Sequence, residues 1–578
     1  MKNKKIYLLA LLLLVCILSI STISATENTT NENVISADNN QENNLEINNQ
    51  YEDVSNSKEN DELNIEETNN EEQGSSGTDK VTTVNEDPLS FTELNTTINN
   101  NTNPIINLTN NYKYNKDSDT NFQEGIIINR DLTIYGNGFT LDGNKIARIF
   151  RVDENVTVEF HNINFINGKA HYGGAIWGGN SYNCTFTGNR AIKDEGVYDS
   201  GDGGAIFQGN AYNCTFTENE AENDGGAIEY GNVYNCTFKK NKAENAGGAI
   251  FQGIAYDCTF TENQADVTGG AICQGEAHNC TFTENQAKIL SGGAISEGNA
   301  YNCTFTKNKA DSNGGAMVNG KAYDCTFTEN QADTGGAISS VDAYNCTFNK
   351  NKANDDGGAM YKGNAYNCTF DKNEADNNGG SIQEGTAYNC TFTENQADNC
   401  AGAINQGTAY NCTFKENHAS HGGAISSSNV YNCTFTENHA DRGGAMQHGN
   451  AYNCTFNKNK AEYGGAIYDG NIYDCTLTEN KAHTDAKSYG GAMAYGNATN
   501  CTFKGNTAFD DEDDDCYAGA MYKGNAYDCT FIENRAHTDG GAVYNTNAYN
   551  CTFIKNKANV KGGAMYKGYA FNWHSKIT

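Results

Sequence analysis

Seventeen of the chain's 21 cysteines stand in the setting Cys-Thr-Phe, once Cys-Thr-Leu, from Cys184 to Cys551, mostly 21 to 23 residues apart. Cysteine at that density points to disulfides or metal. A zinc ribbon needs close pairs such as Cys-x-x-Cys, and none is present. An odd number of equivalent thiols cannot pair completely, and neighbours on in-register strands would point their Cβ atoms the same way. The expected state is a column of free thiols acting as small hydrophobes. Cys273, Cys400 and Cys516 fall outside the repeat.

Oxygen chemistry is concentrated in one place. Asp510, Asp511, Glu512, Asp513, Asp514 and Asp515 form an unbroken acid run. Six such carboxylates repel one another unless solvated or bound to cations, and oxygen-only ligands point to calcium. No other cofactor is implied. Asp485, Lys487 and Tyr489 lie in a similar stretch one repeat earlier, and Tyr517 follows the acid run. These residues are the expected ligand-contacting set. His418 and His439 occupy equivalent positions of adjacent repeats, with His421 close by, and are expected to be solvated turn residues. Asn-Cys-Thr recurs in thirteen repeats, beginning with Asn183, Asn213 and Asn235, as N-glycan acceptor triplets. Asn107, Asn155 and Asn497 head further triplets. Nothing in the repeats brings two or three carboxylates to one patch, as polysaccharide hydrolysis requires, so binding is expected rather than catalysis.

The elements that must position these residues follow from the period. One unit reads Gly-Gly-Ala-Ile, two or three variable residues, Gly-Asn-Ala-Tyr-Asn-Cys-Thr-Phe-Thr-Glu-Asn, one residue, Ala, and a short link. A fixed period near 22 residues signals a stacked solenoid. Gly, Asn and Thr weaken helices, and leucine is scarce, so the unit is a coil of short strands. Alternation places Tyr182, Cys184 and Phe186 on one strand face. One period before Cys184 stands Ile163, and one period after Cys551 stands Trp573, so that face is expected to be the interior. Trp573 is then expected to cover the Cys551–Phe553 layer. The second glycine of each pair, Gly204 for example, never varies, while the first becomes Ala401 and Ala518. A positive φ at the second glycine would explain this.

Flanking segments complete the organisation. Residues 1–25, with Lys2, Lys4 and Lys5 before an apolar run, read as a signal peptide, so the protein is expected to be exported to the surface or the exterior. No second apolar run follows, so no membrane span is expected in the mature chain. Residues 26–84 read as a disordered Asn/Glu-rich stalk, since seventeen acids face two lysines between 26 and 87. Residues 85–165 are expected to form irregular N-terminal rungs and a cap, and 166–578 the regular repeat. A net charge of −33 disfavours nucleic acid as a partner.

Gly-Gly-Ala-Ile paired with Phe-x-x-Asn resembles the repeats of chlamydial polymorphic outer-membrane proteins. The Asn-Cys-Thr-Phe setting, the signal and the Asn-rich stalk resemble adhesin-like surface proteins of methanogenic archaea. The resemblance implies an all-β, pectate-lyase-like right-handed parallel β-helix. It also implies an adhesin-like or structural display role, with a glycan or another cell's surface as the unknown partner. A secreted carbohydrate-binding or polysaccharide-cleaving β-helix is the alternative. The longer links at 191–202, 482–489 and 507–517 interrupt the same point of the repeat, so they are expected at one edge of the solenoid.

Overall fold

The computed structural model describes residues 87–197, 200–483, 487–509 and 515–576. The segments read as signal and stalk lie outside them. The described chain is a right-handed parallel β-solenoid of about 20 turns with rungs of ~22 residues.

Each rung contributes to three parallel sheets. In one rung, Ile206–Phe207 and Ala211–Tyr212 lie in the first sheet, Thr215–Thr217 in the second and Glu220–Ala221 in the third. Every strand pairs in register with its equivalent one rung away, as Phe186 does with Phe216 and Ala191 with Ala221. In several rungs the two first-sheet strands fuse into one, as in Met317–Tyr323 and Ile338–Tyr344. Identical side chains therefore stack. Phe186 and Phe216 are 4.8 Å apart at 3°, and both are fully buried. Each such ring contributes roughly 1.5–3 kcal/mol of burial.

Four residues per rung adopt positive φ, and they shape the coil. In the rung above they are Gly203, Gln208, Asn213 and Glu218. The corner at Asn183 (φ 55°) corrects the expected strand face. Between the strands Asn180–Tyr182 and Thr185–Thr187 the chain turns, so alternation does not carry across. Cys184 and Phe186 point inward, but Tyr182 is half-buried on the outside, stacked between His161 at 4.7 Å and Tyr212 at 4.8 Å. Ser181 and Ala211 take the inward place ahead of the corner. Asn and Asp recur at this corner because their short polar side chains tolerate the left-handed region.

The glycine expectation is also corrected. Positive φ belongs to the first glycine, as at Gly203 (φ 63°), and Ala401 and Ala518 keep it at 60° and 64°. The second glycine is fixed by crowding. A Cβ on Gly204 would lie 2.1 Å from the Gly226 carbonyl oxygen and 2.7 Å from that of Glu220.

A helix, α1 (Phe91–Asn99), closes the N-terminal end. Ser90 and Glu93 form a capping box, and Phe91, Leu94 and Ile98 are buried. Asp119, fully buried, accepts from the Phe91 and Thr92 amides (3.0 Å each), the Thr92 hydroxyl (2.7 Å) and the Asn115 amide (2.8 Å). Burial alone would raise its pKa. The hydrogen bonds, from Asn115 foremost, hold the carboxyl below its ordinary value instead. A depressed pKa stabilises the fold above the unfolded value near ~3.9 and loses that contribution as pH falls through the folded value. Asp119→Asn is expected to cost the cap about 2 kcal/mol at pH 7. Amide exchange of α1 checks it: the variant exchanges faster at pH 7, and the two proteins converge toward pH 2.

Candidate functional site

Among the described residues, the cysteines of the interior column are buried. Cys184 is 1% exposed. Its Sγ donates toward the Tyr182 carbonyl (3.3 Å), and the Cys184 amide donates to the sulfur of Cys214 (3.3 Å). The thiols thus accept from the cysteine amides after the corner, while the Tyr182 carbonyl also accepts from the Asn162 amide at 3.0 Å. Desolvation opposes ionisation along the column; at Cys214 burial and then its thiol neighbours push the pKa up. Cys273 is pushed up to about 12 by burial. Cysteines among the described residues are free thiols, and all but Cys400 are buried. Native protein is therefore expected to label with a maleimide at Cys400 first, while the column reacts only on denaturation. Rapid native labelling of most thiols would contradict the inward register.

Outside the corner, the sequon asparagines form a second ladder. Asn183, Asn213 and Asn235 are exposed, and the Asn235 Nδ2 donates to the Asn213 Oδ1 at 2.8 Å. Asn155 sits exposed on a positive-φ turn, and Asn107 is exposed at the end of the strand Ile105–Asn107. Asn497 is half-buried, with its Nδ2 donating to Asn471 at 3.0 Å. A glycan on a laddered asparagine would displace such a bond.

At the paired insertions, Asp485 and Asp510 to Asp514 lie outside the described residues. The structure brings the rest of the expected set together. Lys487 pairs with Asp515 at 3.3 Å, and Tyr489 stacks on Tyr517 at 5.8 Å and 4°. Hydrogen bonding from Tyr517 and then Lys487 holds the Asp515 carboxyl below its ordinary range. Burial first, then Asp515, pushes the Tyr517 phenol up.

These tyrosines belong to a larger cluster that repeat arithmetic does not reveal. The Gly-Gly corner is re-entrant, so the residue before the glycines and the residue after Ala-Ile face each other across it. In the C-terminal rungs the first column reads Tyr463, Tyr489 and Tyr517, and the second Tyr468, Ala494, Tyr522 and Tyr544. Tyr489 stacks on Tyr522 at 4.7 Å, Tyr495 meets Tyr522 edge-on at 5.7 Å, and Tyr517 lies 4.6 Å from Tyr544. Ala494 and Ala518 stand among them, small residues that let the rings converge. Lys523 sits over Tyr522 and Tyr495 at 5.1 and 5.2 Å, and Lys567 over Tyr544 at 5.1 Å. The available signal was Tyr at these two positions in consecutive repeats, hidden because each lies in a variable stretch.

This cluster differs in chemistry from the regular outer tyrosine column. There, Tyr366 and Tyr388 are parallel at 5.1 Å and 0°, so each ring hides its neighbour's face. In the cluster the rings mix stacked contacts, Tyr522 on Tyr489 at 22° and on Tyr544 at 20°, with the crossed contact of Tyr495 at 85°. A second aromatic group, Trp177 with Phe207 and Tyr172, occupies the same corner near the N-terminal end, with Arg151 over Trp177 at 4.9 Å. Between them the corner holds Asp202, Asp224 and Glu229, exposed by 2, 8 and 4%. Trp573 is 51% exposed, while Cys551 and Phe553 in the preceding rung are buried. His418 and His439 stack at 5.2 Å, and burial, then His418, pushes His439 down. Among the described residues no helix is long and apolar enough to cross a membrane.

A comparison with curated protein sequences finds no match. In fold, solved structures similar to the chain include a PL6 family alginate lyase, AlyGC, at 8% identity over 81% of this chain and 97% of that one, with TM-score 0.20. They include the A-module of the Azotobacter vinelandii mannuronan C-5 epimerase AlgE6, at 9% identity, 80% and 93% coverage and TM-score 0.11. PfbA, a surface adhesin of Streptococcus pneumoniae, is similar at 9% identity, 78% and 83% coverage and TM-score 0.14. The right handed beta helix region model matches residues 191–332, and the Chlamydia polymorphic membrane protein repeat model matches 324–341, 411–428, 453–469 and 528–546.

Proposed function

We propose that the chain is an exported surface protein that binds rather than catalyses, in an adhesin-like or display role. The tyrosine cluster at the re-entrant corner, with its flanking lysines, is its contact surface. That cluster is the observation that carries the reading. Long stretches of identical rungs give a rigid rod, and the cluster concentrates amphipathic rings of low conformational entropy at one end. A glycan or another cell's surface is the partner, met by ring faces and the flanking lysines. Glycan-array binding with wild type and a Tyr495→Ser/Tyr544→Ser variant tests it. The expected result is at least a tenfold loss of binding in the variant, with no reducing sugar released by either protein. Equal binding by the two would remove the cluster from the function.

One observation favours the alternative of a polysaccharide-cleaving protein. Asp202, Asp224 and Glu229 stand on adjacent rungs of the same corner, all three carboxyls buried. Release of reducing sugar by wild type and its loss in Asp224→Asn would establish that reading over the first.

A further inference from the structure

The outward column of the third sheet changes character along the rod. In the first half, cations share the column with glutamines and with Glu220 and Glu374: Arg190 pairs with Glu220 at 3.2 Å and Lys352 with Glu374 at 2.8 Å. In the C-terminal rungs the same column reads Lys460, Lys481, Thr507, Arg535 and Lys557, each in register with the next. No acid among the described residues lies within ion-pair distance of these four cations. Like charges on adjacent in-register positions destabilise a sheet. Their retention in a chain of net charge −33 calls for an anion.

The ladder also contains a shaped site. Thr507 is short where its neighbours are long, and a cleft of about 370 Å³ opens there, lined by Lys481, Thr507, Phe509, Arg535 and His537. The Thr507 hydroxyl is buried and has no hydrogen-bond partner in this structure. Phe509 is 37% exposed and stacks on His483 at 4.6 Å, forming an apolar wall beside the two cations.

We infer that this ladder binds an acidic polysaccharide carrying a carboxylate on each sugar. Lys481 and Arg535 flank Thr507 by one rung each, about 10 Å apart along the stack at the usual strand spacing. Two carboxylates on a linear uronate chain meet them, the guanidinium in bidentate fashion. The Thr507 hydroxyl gains a partner, and the sugar's apolar face lies on Phe509. A nucleic acid or polyphosphate satisfies the cations but makes no use of the apolar wall. The site is on a different sheet from the tyrosine corner, so the two readings stand or fall separately.

Calorimetry of the full chain with a glucuronate hexasaccharide tests the inference, with the methyl-esterified hexasaccharide and polyphosphate as further probes. Binding is expected for the free acid alone. It should weaken at least tenfold in Lys481→Gln/Arg535→Gln and severalfold as salt rises from 0.05 to about 0.5 M. Lys352→Gln, which removes a paired cation of the same column, should leave it unchanged. Equal affinity in the double variant, or equal binding of the ester or of polyphosphate, would overturn the proposal. A variant with residues 510–514 changed to Asn and Ser closes the remaining route. If the free acid binds only to that variant, the chain's own acids satisfy the cleft and the proposal fails. Unchanged circular dichroism and tyrosine fluorescence establish that each variant is folded.

Discussion

Gly248→Ala is expected to destabilise the solenoid by about 3 kcal/mol or more, while Gly247→Ala costs only about 1 kcal/mol. The two residues are adjacent and both invite the same explanation from sequence, yet the physics differs. Gly247 has φ 65°, a conformation that alanine enters at moderate strain, and its Cβ would meet the Ile250 carbonyl oxygen at 2.2 Å, a contact inside its own turn that the turn relieves locally. The chain itself makes that substitution at Ala401 and Ala518, at φ 60° and 64°. Gly248 needs no unusual φ. Its Cβ would fall 2.1 Å from the Gly270 carbonyl oxygen and 2.5 Å from Gln264 carbonyl atoms. Those atoms are backbone in two strands of the stack, so relief requires moving a whole rung against its neighbours. Stability in a solenoid is a sum over rungs and their interfaces. The damage should therefore appear as fast amide exchange in the rungs on either side of Gly248, before any change at α1. Equal effects from the two substitutions would restore backbone conformation as the reason for the second glycine.

The same contrast explains which parts of the molecule were legible in the sequence. Fold and register were readable because the period repeats and because Ile163 and Trp573 stand in the cysteine column at its two ends. The inward place of Cys184 and Phe186 follows from that column alone. Tyr182 departs from the expected face because Asn183, at positive φ, turns the chain between strands and ends the alternation. The recurring Asn or Asp there serves that backbone turn, which a sequon alone does not disclose. At the paired insertions, Tyr489 and Tyr517 were within reach because two long links on neighbouring rungs must adjoin. The wider cluster was not, because the facing of Tyr489 and Tyr522 depends on a re-entrant corner set by the first glycine. The cation ladder was hidden for a related reason. Lys481 and Arg535 are unremarkable in their own repeats, and only stacking shows that Thr507 stands between them in the column.

Asn351→Ala is expected to destabilise its rungs by about 4 kcal/mol, and Asn351→Asp to make stability fall with rising pH. Asn351 is fully buried within the inner asparagine column. Its Oδ1 accepts from both the backbone and the side-chain nitrogen of Asn330, each at 3.0 Å. Its Nδ2 donates to the Phe327 carbonyl and to the Asn373 Oδ1, again at 3.0 Å. Alanine leaves the Asn330 backbone N–H without this acceptor in a dry interior, and takes one of two acceptors from the Asn330 Nδ2 and one donor from the Phe327 carbonyl, losses of about 1–3 kcal/mol each at most. Aspartate keeps the acceptor but replaces the donor with an oxygen facing two other oxygens. Burial and that repulsion raise its folded pKa above the unfolded value near ~3.9. Below that pH both states hold the proton and the variant folds best. Above it the unfolded state alone releases the proton, and stability falls by about 1.4 kcal/mol per pH unit until the folded pKa is reached. Thermal unfolding from pH 3 to 8 checks this, with Asn367→Asp as the reference. Asn367 lies in the outer ladder, exposed, with its Nδ2 donating to Asn345 at 3.3 Å. Its replacement should stay within about 0.5 kcal/mol of wild type across the range. The chain already distinguishes the two columns. The outer one accepts Asp257, Asp324, Asp474 and Asp528 in place of asparagine, whereas the inner one holds asparagine in every repeat from Asn189 to Asn556. An amide gives and takes a hydrogen bond in the same rung without carrying charge into the core, which a carboxylate cannot do.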